Sequence, residues 1–227
     1  IFRQSDHIVT VHINGRRCGF VFCGVAICFL WVVVMLRPVF LLLLLLLSAC
    51  SSTTTNRPDN PENICDIFRQ NEDWYDAAKE MQSRWKVPLT VSMAMMYQES
   101  SFRHDAKPPM DYFLFIPLGR RSSAYGYAQV KDETWDDYKA QTGNSWADRD
   151  DFADAIDFMG WYSYKTSRVN KIAPSDAYNQ YLNYHEGWGG FRRGTQNEKR
   201  WLLKTSRVVE ARAKRYAVQF KQCRSSL

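Results

Sequence analysis

A nearly unbroken apolar run over residues 18–50 limits how much of this chain can build a globular domain. Only Arg37-Pro38 interrupts the run, which ends in LLLLLLLSAC and gives way at once to the polar stretch SSTTTNRPDNPEN. A short charged start, an apolar centre and small residues before the break are typical of an export signal. We therefore expect the fold to be built from the residues that follow Cys50.

The end of the run, Leu47-Ser48-Ala49-Cys50, resembles the lipobox of bacterial lipoproteins. The resemblance implies that Cys50 is lipidated and becomes the first residue of the mature protein. Met35 would begin a signal peptide over residues 35–49, and residues 1–34 would be an upstream, non-native extension. Residues 50–63 would be the lipidated cysteine and a flexible linker, because this stretch is rich in Ser, Thr, Asn and Pro and contains little to bury.

The residue after the lipidated position bears on where the protein resides. It is Ser51 rather than Asp, which in Gram-negative lipoproteins implies an anchor in the outer membrane, here with the domain on its periplasmic face. A transmembrane anchor over residues 19–36 is the alternative, since this stretch is long enough to span a bilayer. The expected attachment to the membrane is through the N-terminal lipid.

Two of the six cysteines remain for the folded domain. Three lie in the leader and Cys50 would carry lipid, which leaves Cys65 and Cys223 near the two ends of the domain. Domain termini often lie close together, and an exported protein can keep a disulfide. We predict a Cys65–Cys223 disulfide, with two unrelated buried thiols as the alternative.

From Ile64 onward the pattern is helical. NEDWYDAAKEMQSRW spaces Trp74, Met81 and Trp85 at helical intervals, and Pro88 suits the first turn of a helix that runs to about Ser100. Thr195 and Glu198 predict a capping box for a last helix over about 196–220. Only FLFI at 113–116 favours a strand. The sequence predicts a single all-α domain of about six helices over residues 64–224.

The charge of the chain is concentrated near its end, since residues 192–224 hold eleven basic and two acidic residues. A solvated helix face is the simpler interpretation, although nucleic acid, anionic lipid or an acidic polymer would also suit such a segment. An exported protein rarely meets nucleic acid. His104 and His185 have no His/Cys cluster around them, and no phosphate-binding loop is present. We expect a monomer without metal, cofactor or nucleic acid.

Glu99 is an acid in an unusual place, at the end of the apolar helix PLTVSMAMMYQES. The negative end of the helix dipole and apolar surroundings both disfavour an ionised carboxylate, so its pKa is expected to be raised. A carboxyl that keeps its proton near neutral pH is what a general acid for glycosidic cleavage requires. The alternative is a surface Glu that merely ends a helix.

Two later segments have the composition of a sugar-binding cleft. SSAYGYAQ, residues 122–129, combines Gly126 with aromatic neighbours and the amide of Gln129, and YLNYHEGWGGF, residues 181–191, adds further aromatic, polar and glycine residues. Aromatic faces and amides bind sugars, and glycines let backbone approach them closely. Each segment alone would equally fit core packing or a helix end.

Together the three segments resemble the soluble lytic transglycosylase family, whose domain has a lysozyme-like fold. Its Glu-Ser-x-Phe motif is matched by residues 99–102, and its Ala-Tyr-Asn-Ala-Gly-x-Gly by residues 183–189. Its Gly-Leu-Met-Gln is matched by residues 126–129 with Tyr127-Ala128 in place of Leu-Met. The resemblance covers about residues 70–220. Here Tyr-His-Glu-Gly replaces Tyr-Asn-Ala-Gly, which suggests a distinct branch, and the insert KPPMDYFLFIPLGRRSS lengthens the first spacing.

The resemblance implies cleavage of peptidoglycan glycan strands between N-acetylmuramic acid and N-acetylglucosamine, with a 1,6-anhydro product. Glu99 would act first as acid and then as base, and Tyr184 would hydrogen-bond Glu99 or the N-acetyl group. His185 and Glu186 would be a polar pair in the cleft or a helix cap, and either Ser122 or Ser123 would match the family's serine. The expected substrate-binding residues are Ser100, Ser123, Tyr125, Gly126, Tyr127, Gln129, Tyr184, His185, Glu186 and Gly187. A lysozyme-type hydrolase using Asp105, Asp111 or Glu186, or a non-catalytic cell-wall-binding lipoprotein, is the alternative.

Overall fold

A computed structural model describes residues 57–227 of the chain. The predicted extension 1–34, the signal peptide 35–49, and Cys50 with Ser51 lie outside these residues and stay predictions. All of these described residues lie within one compact unit. Among the described residues, no helix combines the length and the apolar character needed to cross a membrane.

The described residues form seven α-helices and one small β-hairpin, so the predicted all-α class is confirmed. The helices are α1 (Ile64–Gln70), α2 (Glu72–Trp85), α3 (Leu89–Ser100), α4 (Asp132–Thr142), α5 (Phe152–Asn170), α6 (Ala177–Arg193) and α7 (Arg200–Cys223). Strands β1 (Met110–Phe113) and β2 (Ile116–Arg120) pair antiparallel. The FLFI segment therefore spans the turn of a hairpin rather than one strand.

Helix α3 is the centre of the domain because its sequence is apolar on every side. Residues 89–96 are all buried, as expected for a helix without a polar face. Helices α5, α6 and α7 pack around it. Helix α2 packs closely on α5 at Gly160, where a Cβ atom would lie 2.5 Å from the Met81 side chain. This packing fixes the C-terminal end of α3 relative to its neighbours.

The two ends of the domain are joined, as the cysteine pattern predicts. A disulfide links Cys65 in α1 to Cys223 at the end of α7. The preceding residues also bind α7: Glu62 forms ion pairs with Arg212 and Arg215, and the Tyr216 hydroxyl donates to the Pro61 carbonyl. The predicted flexible linker therefore extends too far, because at least Pro61 and Glu62 are held by the fold.

The predicted capping box near the last helix is wrong. Residues Thr195–Glu198 form a short 3-10 turn of their own, and α7 begins only at Arg200. The Thr195 hydroxyl donates to the Glu186 carboxylate instead of capping a helix. The Thr195 side chain, which the sequence spacing assigned to a local helix cap, is thus used to bind a carboxylate of α6.

Candidate functional site

A groove brings six of the predicted site residues together. It has a volume of about 500 Å³ and lies between the end of α3, the segment before α4, and the middle of α6. The six residues are Glu99, Gln129, Tyr184, His185, Glu186 and Gly187. Phe158 and Tyr162 of α5 and Glu133 in the first turn of α4 also line it. The groove therefore combines aromatic faces, an amide and three carboxyl groups.

Glu99 is placed in the groove by the way α3 ends. Ser101 and Phe102 both adopt left-handed backbone conformations, with φ of 54° and 60°, so the chain turns away directly after the helix. Phe102 is buried, and its ring packs on Trp74 and Tyr97. Two non-glycine residues at positive φ are uncommon, and such local strain persists where surrounding packing enforces it. The turn anchored by Phe102 leaves the carboxyl at the groove.

The surroundings of Glu99 favour its protonated form. Burial raises its pKa from 4.5 to about 7, because desolvation disfavours the charged carboxylate. The Tyr181 hydroxyl opposes this rise, since its hydrogen bond stabilises the ionised form. Near neutral pH the carboxyl can therefore both donate a proton and take one back, which is the requirement for a group that acts as acid and then as base.

The tyrosine that contacts Glu99 is Tyr181 and not the expected Tyr184. The Tyr184 hydroxyl donates to the Ala128 carbonyl, which ties α6 to the segment before α4. Tyr181 was missed in the sequence, although it lies three residues before Tyr184 and hence on the same helix face. Tyr184 still lines the groove and lies close enough to Glu99 for that carboxylate to help raise its pKa.

Gln129 lines the groove, but its side-chain amide is already hydrogen-bonded to the protein, which limits how it can bind a ligand. The amide nitrogen donates to the Ala106 carbonyl at 2.8 Å and to the Gly126 carbonyl at 2.9 Å. An amide nitrogen carries two protons, so both donors are used within the protein and only the oxygen remains to contact a ligand. Gln129 thus shapes the segment and can offer the groove a hydrogen-bond acceptor.

Three expected substrate contacts in the same segment serve the fold instead. Tyr127 is fully buried, with its ring against Trp74 and Phe152. Gly126 has φ 74°, and a Cβ atom there would lie 2.0 Å from the Arg149 carbonyl oxygen, so the close approach is of protein backbone and not of sugar. The Tyr125 hydroxyl donates to Asp150 at 2.7 Å, away from the residues that line the groove.

The expected serines also lie outside the groove. Ser100 is buried, and its hydroxyl donates to the Met96 carbonyl one turn back in α3. Ser123 is exposed, and its hydroxyl accepts the backbone N–H of Asp132 at the start of α4. Ser122 accepts the Ala124 N–H. Neither Ser122 nor Ser123 lines the groove, so both support the segment before α4.

A break in α6 presents His185 and Glu186 to the groove. Gly187 has φ 71° and ψ 161°, a conformation that is essentially restricted to glycine, and it interrupts the helix. Glu186 accepts hydrogen bonds from Lys199 at 2.7 Å, from Thr195, and from His185 at 2.9 Å when that nitrogen carries the proton. These partners lower the pKa of Glu186 to about 2. Glu186 is therefore an ionised structural acceptor and a poor candidate for a base.

The remaining carboxylates considered for a hydrolase are placed differently. Asp111 lies on the hairpin and pairs with Arg121, and Asp105 is exposed. Neither lines the groove, whereas Glu133, which the sequence did not single out, does. Within residues 57–227 no cluster of His, Cys, Asp and Glu is arranged to hold a metal ion.

Comparison with known proteins gives one positive result. The family model described as transglycosylase SLT domain matches residues 38–223, which is most of the chain and contains every residue of the groove. No curated protein matches the chain.

Proposed function

The chain belongs to the transglycosylase SLT domain family, and we propose that it acts on peptidoglycan. It is a lytic transglycosylase in this proposal and cleaves the β-1,4 bond between N-acetylmuramic acid and N-acetylglucosamine. Glu99 is the proposed catalytic group. The observation that carries this proposal is the desolvated Glu99 carboxyl in the groove, whose pKa is raised to about 7.

The proposed reaction uses this one carboxyl twice. Protonated Glu99 gives its proton to the glycosidic oxygen, and the bond from that oxygen to C1 of the muramoyl sugar breaks. The carbonyl oxygen of the muramoyl N-acetyl group attacks C1 to form an oxazolinium ion, as in substrate-assisted glycosidases. Ionised Glu99 then takes the proton of the C6 hydroxyl, O6 attacks C1, and the N-acetyl carbonyl leaves. The 1,6-anhydro ring closes without water, and Glu99 ends protonated.

The other groove residues have supporting roles in this proposal. Tyr181 holds the carboxyl and tempers its pKa. Gln129 offers its oxygen, and Tyr184, His185 and Gly187 line the path of the glycan strand. Glu186 is fully engaged by its own donors, so it fixes His185 and the break in α6 rather than reacting.

A lysozyme-type hydrolase is a second candidate because Glu133 also lines the groove. An inverting hydrolase needs a second carboxylate that activates a water. The test is digestion of purified peptidoglycan in water enriched in oxygen-18, followed by mass spectrometry of the fragments. A transglycosylase yields anhydro ends without the label, and a hydrolase yields reducing ends that carry it.

Two variants complete this test. Glu99→Gln is expected to abolish cleavage, and Glu133→Gln is expected to leave the products anhydro. Labelled reducing ends from the unaltered protein would refute the transglycosylase. Cleavage that survives Glu99→Gln would refute the assignment of Glu99, and binding to peptidoglycan without any cleavage would identify a non-catalytic wall-binding protein.

We also propose that Cys50 carries the lipid and holds a monomeric domain at the periplasmic face of the outer membrane. The support is the sequence Leu47-Ser48-Ala49-Cys50-Ser51. Mass analysis of the mature N-terminus in a Gram-negative host tests this, and Cys50→Ala is expected to prevent processing there. A mature chain that starts elsewhere or lacks acyl groups would refute it.

A further inference from the structure

The β-hairpin of residues 110–120 exposes an unusual amount of apolar surface. At its turn Phe115 is 96% exposed and Leu114 is 79% exposed, and Tyr112, Ile116 and Leu118 are each more than half exposed. Residues 112–118 contain no charged side chain. Exposed apolar clusters of this kind mark a surface that meets a partner or a membrane.

The exposed side chains lie on both faces of the hairpin. Successive residues of a strand point to opposite faces, so Ile116 and Pro117 lie on opposite faces, and Leu118 is the extra residue at an irregularity in the pairing. Tyr112 pairs with Pro117 and therefore shares the face of Pro117. Every residue of β2 is exposed. A partner that docks on one face would leave the other in water, whereas immersion of the turn in lipid covers both.

Charge at the base of the hairpin is suited to an anionic membrane surface. Residues 107–121 contain Lys107, Arg120 and Arg121 and a single acid, Asp111, which is neutralised by Arg121. The cations thus lie at the base of the hairpin, and Tyr112 lies between the base and the apolar turn. An apolar tip, an aromatic residue near the interface and basic residues at the headgroups are the arrangement of peptide segments that lie in a membrane interface.

We propose that this hairpin inserts its turn, Leu114-Phe115, into the headgroup region of an anionic lipid bilayer. Insertion needs no spanning segment, since the short strands stay at the interface where water can satisfy their outer backbone groups. The sequence-predicted lipid at Cys50 would hold the domain close to such a surface. Only six residues lie between Cys50 and Arg57, so the two are at most about 25 Å apart along an extended chain.

The test uses residues 57–227, which contain the whole described core and both cysteines of the disulfide and lie within one compact unit. This fragment is mixed with vesicles of phosphatidylcholine and phosphatidylglycerol in equal parts and sedimented. We expect binding that is weaker on phosphatidylcholine alone and that falls as salt is added. Phe115→Asp is expected to weaken binding about tenfold or more, because the apolar side chain that would enter the bilayer becomes a charge.

Trp146→Asp is the matched control, since Trp146 is 94% exposed and lies outside the hairpin and the groove. It is expected to bind vesicles like the unaltered fragment. Because Phe115 is almost fully exposed, both variants should keep the unaltered melting temperature, and a circular dichroism melt checks this. The proposal is overturned if the unaltered fragment does not bind, if Phe115→Asp binds equally well, or if phosphatidylcholine alone suffices.

One further measurement separates lipid from glycan. Cleavage of soluble glycan strands is compared without lipid, and Phe115→Asp and Trp146→Asp are expected to have the same rate. A specific loss with Phe115→Asp would place the hairpin on the glycan and overturn the proposal. Vesicle binding requires no enzymatic activity, so it can succeed or fail independently of the proposed transglycosylase reaction.

Discussion

Replacing Glu99 by Gln should stabilise the protein, and by an amount that depends on pH. In the folded protein the pKa of Glu99 is raised from 4.5 to about 7, so the folded state binds the proton more tightly than the unfolded chain. A group of this kind lowers stability as pH rises through the interval between the two values, and its full cost is present above pH 7. Gln has nearly the same shape and no charge to desolvate.

The magnitude follows from the two pKa values. Linkage gives a stabilisation by Glu99→Gln of about 1 kcal/mol at pH 5 and about 3 kcal/mol at pH 8. Equilibrium unfolding in urea, with the disulfide intact, measures the free energy of unfolding of both proteins at the two pH values. A gain that is equal at pH 5 and pH 8, or a loss that grows with pH, would refute the claim that Glu99 is a desolvated acid.

Glu186→Gln is the matched control because this second groove carboxylate has the opposite environment. Its pKa is lowered to about 2, so its ionised form stabilises the fold at every pH above 4.5, and that stability is lost as pH falls towards 2. The variant should therefore be destabilised by about 1–3 kcal/mol, because solvent screens the partly exposed Lys199 and His185, and the loss should be equal at pH 5 and pH 8. The two Glu→Gln variants in one groove would then change the free energy of unfolding in opposite directions, and only the change for Glu99→Gln would depend on pH between 5 and 8.

Three further predictions concern other parts of the site and the fold. Tyr181→Phe removes a hydrogen bond that favours ionised Glu99, so the alkaline limb of the pH profile of kcat/KM should move up by about one pH unit. Tyr162→Phe is the control, because the Tyr162 hydroxyl donates to the Asn183 carbonyl, and it should leave the limb in place. An unmoved limb in Tyr181→Phe would contradict this. Gly187→Ala should cost about 1–3 kcal/mol in urea unfolding and reduce cleavage, because the φ/ψ values are restricted to glycine although the space is open; a neutral effect would show that the break in α6 is not needed. Replacing both cysteines by Ser should cost up to about 5 kcal/mol, since the disulfide closes a loop with a sequence separation of 158; an unchanged melting temperature would contradict this.

The sequence predicted the helical class, and its motifs grouped six of the residues that line the groove, because each rests on a regular pattern. Helical spacing can be read from the order of residues alone. The three motifs that contain Glu99, Gln129 and Tyr184 follow one another along the chain in the order that the family shows. The disulfide followed from elimination among six cysteines. These features require no knowledge of which surfaces meet in three dimensions.

The individual contacts were harder to predict because the same residue type suits a core and a sugar. Tyr127 has the aromatic face that a glycan cleft would use, but its ring packs edge-on against the stacked pair Trp74 and Phe152. Gly126 does mark a close approach, yet the approaching group is the Arg149 backbone. Thr195 has the spacing of a helix cap, but its hydroxyl donates to the Glu186 carboxylate in α6 instead. In each case a contact with another part of the fold uses the residue that the local sequence pattern assigned to a different role.

The disulfide has a mechanical consequence when the chain is pulled at its two ends. A force applied between the two chain ends enters at Cys65 and leaves at Cys223, so the covalent bond carries it and the loop between them, which includes every helix that lines the groove, is not extended. Reduction would release a hidden chain length of about 500 Å. Tension on the ends of the oxidised protein therefore stretches only the chain before Cys65 and after Cys223, and the groove keeps its shape.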